Sequence, residues 1–454
     1  MNAPASAASR SIRRPLRMPI SDRAIARRLR EGALAVVIGG ATAAAVAYAP
    51  VPRIILLLLA AGLLVTLVVF ALPTLAAVLL GVSIPEIQDV TGGHLGVHVA
   101  ASDVVLVLIG ARLLMDGAVR QRLPAIRALR PVGLPVVQYA WLIGVLLVLH
   151  LSLGSTLKSA QRLELFALPL LVGAFIALHR EHMIVLRGYV LATTLLAVAW
   201  PVLNSTSALG SQFDKNPVGG FIASAILLLL AVRGLRRLLL CMPLLLIGLG
   251  LTASRGAILG LVVGIGVISL AYGSGSRRIL IARTFAIVVT AGIVYLFLPA
   301  SITSRITNYS PGFASRSSIA LYYRQIYARD AEQLIAAHPW TGVGVGNYLA
   351  GSATDITQTT DPHDVILLEA AEGGYIFAAS FILLVVGAAF VLFRLRRLEL
   401  AAAAGGVLIA TVAHGMVDVY WVRGTPVLGW LLLGMVCGLA ARRHADALVL
   451  DAPA

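Results

Sequence analysis

The chain has 454 residues, of which 59% are apolar and only 12% charged, with a formal net charge of +16. Soluble domains carry about 25% charged residues, so this composition, with a mean hydropathy of +0.92, excludes an ordinary soluble protein and leaves a multi-spanning membrane protein. The basic side is almost wholly arginine: of 36 basic residues, only Lys158 and Lys215 are lysine.

Residues 1–32 carry eight arginines between Arg10 and Arg30. The charged stretch is too long for the n-region of a signal peptide and no A-x-A pattern follows, so it reads as a basic cytoplasmic tail. Each crossing of a bilayer core needs about 20 apolar residues. Apolar segments at 33–49, 54–72, 74–86, 99–115, 131–153, 160–179, 183–203, 217–232, 238–253, 256–272, 279–299, 374–393, 400–417 and 425–441 predict an all-α integral membrane protein, a multi-spanning helical bundle. The count is twelve to fourteen transmembrane helices, the first three segments being the least regular. The run 238–272 has twice the length of a span and is interrupted only by Ser254-Arg255, so a turn is expected there.

Counting crossings from a cytoplasmic N-terminus tests the topology. The connections 116–130, 180–182, 233–237, 273–278, 394–399 and 442–444 fall on one side and are arginine-rich, whereas the alternate ones are not. This is the positive-inside pattern. It divides the chain into N-terminal membrane helices (33–300), a large outer loop (301–362), C-terminal membrane helices (363–443) and a cytoplasmic tail (444–454). Within the loop, residues 317–337 place Ile319, Tyr323, Ile326 and Ile335 at helical spacing, which predicts a helix on the membrane surface. It should stop before His338-Pro339. A long loop of this kind is where function is expected. Cys241 and Cys437 lie in apolar runs and support neither a disulfide framework nor a cysteine zinc site.

A few ionisable residues stand apart from the arginine-rich side. Arg255, in the turn LTASRGAIL, either contacts an anion or snorkels to water. Arg324 lies among tyrosines in ALYYRQIYARD and reads as an anion contact or as part of an interfacial belt. His363 opens HDVILLEAAEGGYIFAAS; a histidine there can serve as a general base near neutral pH or as a capping residue. Asp418 and Arg423 flank Trp421 in DVYWVRG, either as a second anion contact or as an interfacial anchor, and His338 is a further candidate. His94 and His98 have metal-ligand spacing without an accompanying carboxylate motif, so no metal is read there. GVGVGN at 342–347 lacks the strand–turn–helix context of a phosphate loop and reads as a turn. The positive charge is accounted for by topology, which leaves no basic face for nucleic acid.

Together, SRGA at a span junction, HPWTGVGVGNY in the outer loop and HDVILLEAAEGGYIF opening the next span resemble the O-antigen ligase and polymerase superfamily. The resemblance runs from about residue 240 to 425. The ligases carry His, then Asn, Ser or Gln, nine residues, Gly, two residues and a small residue. His363, the nine residues 365–373 and Gly374 fit this pattern; Asp364 and Phe377 depart from it. The resemblance implies a fold of the integral-membrane glycosyltransferase (GT-C-like) type. It also implies transfer of a glycan from undecaprenyl diphosphate to lipid A-core at the periplasmic face of a bacterial inner membrane, with no metal or other cofactor.

The chemistry of the residues is consistent with that expectation. Displacing a diphosphate from an anomeric carbon builds negative charge on the leaving group, which a cation must stabilise. Arginine forks suit phosphate oxygens, so Arg255 and Arg324 are the expected diphosphate contacts. His363 is the expected base in a single inverting displacement. An O-antigen polymerase or a protein oligosaccharyltransferase would share this donor chemistry. A lipid-linked glycan transporter or flippase would instead place its site at mid-membrane between repeats, and no internal repeat is visible.

Overall fold

A computed structural model describes residues 69, 73–85, 100–115, 119–205, 215–252, 254–271, 311–348, 361–418, 421 and 424–450. The expected tail 1–32, the segments 33–49, 54–72 (apart from Val69) and 279–299, His94, His98 and Arg423 lie outside them. All the helices below belong to the unit Pro73–Ala454.

Every regular element among the described residues is helical: α1 Pro73–Ser83, α2 Ala101–Met115, α3 Val119–Ala128, α4 Arg130–Leu149, α5 Leu153–Leu178, α6 His182–Ser205 and α7 Lys215–Ala231. A 3-10 segment, Arg233–Cys241, leads into α8 Met242–Thr252. Then follow α9 Arg255–Ala271, α10 Pro311–Ala337, α11 Val365–Arg394, α12 Glu399–Gly415 and α13 Val427–Leu450. Among the described residues, the stretches Arg130–Leu149, Leu153–Leu178, His182–Pro201, Arg233–Thr252 and Val365–Arg394 are long and apolar enough to cross a membrane. The interruption expected at Ser254-Arg255 is present: α8 ends at Thr252 and α9 begins at Arg255.

Helix α7 is buried from Pro217 to Ala231, and α12 is buried along most of its length. Around them α9 packs on α12 and α7, α8 on α6 and α7, and α13 on α5 and α12. Small residues bring backbones together, as expected where apolar lipid supplies little drive for helix association. A Cβ on Gly173 of α5 would meet the Leu431 carbonyl oxygen, and one on Gly434 of α13 would meet that of Leu170. By contrast, α4 leaves Leu134, Trp141 and Val148 exposed, the composition of a lipid-facing surface.

Two elements differ from the sequence expectation. Helix α10 begins at Pro311, and of the residues named above it buries Ile335, in a stripe otherwise made by Tyr327, Asp330, Ala331 and Leu334. Tyr323 is exposed. Small Ala331 permits close packing against α11, which a pattern of bulky apolar residues does not register. Helix α11 begins nine residues before the expected span, with a non-helical residue, Gly374 (φ 75, ψ −177), inside it. Glu369 and Glu372 interrupt the apolar run there, and tertiary partners make their burial tolerable.

Candidate functional site

The site assembles where α10, the 338–347 loop and the start of α11 converge. Asp364 is the N-cap of α11, its Oδ1 accepting from the N–H groups of Ile366 at 2.8 Å and Leu367 at 3.1 Å. An aspartate caps as well as an asparagine or serine does, so this departure from the ligase pattern keeps the local structure. The capping role that His363 could have filled belongs to its neighbour. His363 itself has φ 61, in the left-handed region that non-glycine residues seldom adopt. Its N–H donates to Asp361 Oδ1 at 2.6 Å, and its Nδ1 lies 3.3 Å from the Asp361 carbonyl oxygen. The imidazole stacks on Tyr327 of α10, with centroids 5.5 Å apart and planes 11° apart.

Arg324 lies on the same helix, one turn before Tyr327. Its Nη2 donates to Asp418 Oδ2 at 3.0 Å, the arginine side chain being 40% and the aspartate 7% exposed. Arg324 thus stands beside both Asp418 and the His363 platform. Arg255 is exposed as the first residue of α9. Its neighbour Gly256 touches the His414 ring so closely that a Cβ would overlap it, and the Arg324 charge acts on that same imidazole. The turn bearing Arg255 packs at the Gly415 end of α12, within the electrostatic reach of Arg324. His338 is exposed; its backbone carbonyl accepts the N–H of Gly342 at 3.0 Å, a loop-forming role that leaves its ring outside this group of contacts.

The 338–347 loop is built into the break in α11. Val343 and Gly344 donate to the carbonyls of Ala371 and Glu372 at 3.0 and 2.8 Å, and Tyr375 N–H donates to the Pro339 carbonyl at 2.8 Å. Gly346 N–H donates to Glu372 Oε1 at 2.8 Å. Gly342, at φ 58, passes directly against the Glu372–Gly373 backbone. The loop is a turn, as its sequence suggests, and these amides donate to α11.

Sequence reasoning missed the charged cluster beneath this loop. Arg162 of α5 reaches Glu369 at 2.9 Å through Nη1 and Glu372 at 2.8 Å through Nη2, with the glutamate side chains 0% and 4% exposed. Tyr139 Oη of α4 donates to Glu369 at 2.8 Å. Phe377 stacks on Tyr139 at 5.0 Å and lies 5.9 Å beneath the guanidinium, so the aromatic residue at the small-residue position fills part of the cluster. The available signal was two glutamates three residues apart in an apolar helix, a pattern that calls for an intramembrane partner. The partner lies 207 residues away, where no local pattern indicates it.

Burial pushes the carboxyl of Asp361 up to about 7; the His363 amide opposes this, Glu372 adds to it, Arg162 opposes it and Asp364 adds to it.

Residues 238–382 match the family model described as O-antigen ligase. The matched segment covers less than half of the chain and contains Arg255, Arg324, His338, Asp361 and His363, but neither Tyr139 nor Arg162. The match supports assignment to the O-antigen ligase family and implies a glycosyl-transferring enzyme. With the apolar helices, it marks a multi-pass membrane protein. No curated protein matches the chain.

Proposed function

Starting from an O-antigen ligase domain over residues 238–382, we propose that the chain transfers an O-antigen polysaccharide from undecaprenyl diphosphate to lipid A-core at the periplasmic face of the inner membrane. The observation that carries this reading is His363 stacked on Tyr327, one helical turn along α10 from Arg324. A candidate base and a candidate diphosphate contact are thereby held on one helix surface.

In the proposed reaction, the acceptor hydroxyl attacks the anomeric carbon of the donor sugar. The new C–O bond forms as the bond to the diphosphate oxygen breaks, inverting the centre. The hydroxyl proton passes to His363; the Asp361 carbonyl beside Nδ1 favours the Nδ1–H tautomer, which makes Nε2 the basic nitrogen. Undecaprenyl diphosphate leaves with the bonding electron pair. Arg324, oriented by Asp418 through Nη2, turns its other edge towards the phosphates. Arg255 approaches from the N-terminus of α9, where the helix dipole also favours an anion. The arginines supply the positive charge that a divalent ion supplies in metal-dependent transferases.

The test is transfer by purified protein from lipid-linked glycan, with and without lipid A-core and without ATP or added metal. Glycan joined to lipid A-core supports the ligase reading. Elongated glycan that forms without lipid A-core would make the enzyme a polymerase. Lipid movement between leaflets with no new glycosidic bond would replace transfer with transport.

A further inference from the structure

The half-helix that follows His363 cannot owe its position to the rest of α11. At Gly374, φ 75 and ψ −177 interrupt the helix, so residues 365–373 form a nine-residue segment of their own. Isolated helices of that length are marginal, and the placement of this one must come from tertiary ties. Two are backbone bonds from the loop, Val343 to Ala371 and Gly344 to Glu372. Besides the packing of Leu368, Ala370 and Ala371 against α10, the others converge on Glu369 and Glu372: the Tyr139 hydroxyl, the Gly346 amide and both arms of the Arg162 fork. The two glutamates are three residues apart on one face, and Arg162 spans them, fixing rotation about the segment's axis as well as its depth.

The tie continues to the turn that carries His363. Asp361, 2% exposed, holds the His363 amide at 2.6 Å. Its carboxyl also lies within the electrostatic reach of both Arg162 and Glu372. Arg162 belongs to α5, outside the segment matched to the ligase family, and bonds no atom of His363 in the contacts described above.

We infer that Arg162 is a positioning residue for glycosyl transfer: by clamping Glu369 and Glu372 it sets the rotation of the 365–373 half-helix and so aims His363 at the acceptor hydroxyl. This rests on the reading of His363 as the base. It makes an N-terminal helix part of the catalytic apparatus of the ligase domain.

The experiment measures steady-state transfer by the purified full-length protein, using lipid-linked glycan and lipid A-core. Arg162→Met alone strands two buried carboxylates, so it is combined with Glu369→Gln and Glu372→Gln; buried ion pairs exchanged for neutral groups are often tolerated. Arg162→Lys is made beside it, since lysine keeps the charge but loses the fork that spans two carboxylates. A reacting group misplaced by about 1 Å costs up to about 100-fold. The expected result is a kcat about 10- to 100-fold lower in both variants, with KM for donor and acceptor unchanged and the protein present at wild-type abundance. Wild-type kcat in either folded variant overturns the inference, as does a rise in KM alone. His363→Ala is assayed in parallel: if it retains full transfer, the base reading itself fails, whereas its inactivity beside unchanged Arg162 variants overturns the positioning role only.

Discussion

The break in α11 makes a sharp mutational prediction. Gly374 combines φ 75 with ψ −177, and a Cβ there would lie 2.5 Å from the Trp340 carbonyl carbon and 2.6 Å from the Pro339 oxygen. A side chain in this glycine region of backbone space costs about 1–3 kcal/mol. Overpacking against neighbours costs about 1–3 kcal/mol more, and here the neighbours are backbone and cannot rotate away. Gly374→Ala should therefore destabilise the protein by about 2–6 kcal/mol, lowering the folded-to-unfolded ratio at least about 30-fold. Gly373→Ala is a control with a different remedy. Its Cβ would meet the Phe377 side chain, Cδ1 at 2.4 Å and Cβ at 2.5 Å, so only the second substitution Phe377→Gly opens that space. Thermal unfolding in detergent and abundance in membranes should show Gly373→Ala partly rescued by Phe377→Gly and Gly374→Ala not rescued by it. A Gly374→Ala protein that melts with wild type and retains transfer would refute both the break and the loop built into it.

Four further outcomes are expected. His363→Gly should remove αL strain and leave abundance equal or higher by up to about 1 kcal/mol, while transfer falls about 10²- to 10⁴-fold for want of the base; retained transfer in a membrane assay would reject the role. Arg324→Lys should impair transfer with little effect on melting, whereas Arg324→Ala also removes the ion pair of the buried Asp418 carboxylate, at a cost of about 1–3 kcal/mol; calorimetry separates the two. Asp364→Ala should cost about 1 kcal/mol through loss of the α11 cap, and Asp364→Asn should restore the melting temperature. The Asp361 carboxyl, raised from 3.8 to about 7, makes the native state bind more protons than the unfolded state between those values. The stability it contributes is therefore present below pH 4 and is lost as pH rises to about 7. Asp361→Asn should flatten that part of the melting-temperature profile, and an unchanged slope would assign the dependence elsewhere.

The sequence alone determined the elements whose causes are local. Hydropathy identified the multi-pass helical class, Ser254-Arg255 marked the α8–α9 break, and Pro339 placed the end of α10 at Ala337. Each depends on residues within a turn or two of one another. The same locality made His363 legible at the mouth of α11 and Arg255 and Arg324 conspicuous as isolated charges. Tertiary structure alone decided how these residues are held. Arg324 meets Asp418, 94 positions away, and Arg162 meets Glu369, 207 positions away. Gly373-Gly374 looked like the start of a span because Glu369 and Glu372 are costly in an apolar helix until Arg162 and Tyr139 satisfy them. Likewise, the glycines of 342–347 gain their purpose from the carbonyls of a broken helix. Burial of a charge and exposure of a carbonyl are costs that a remote partner removes, and no periodicity along the chain records which partner that is.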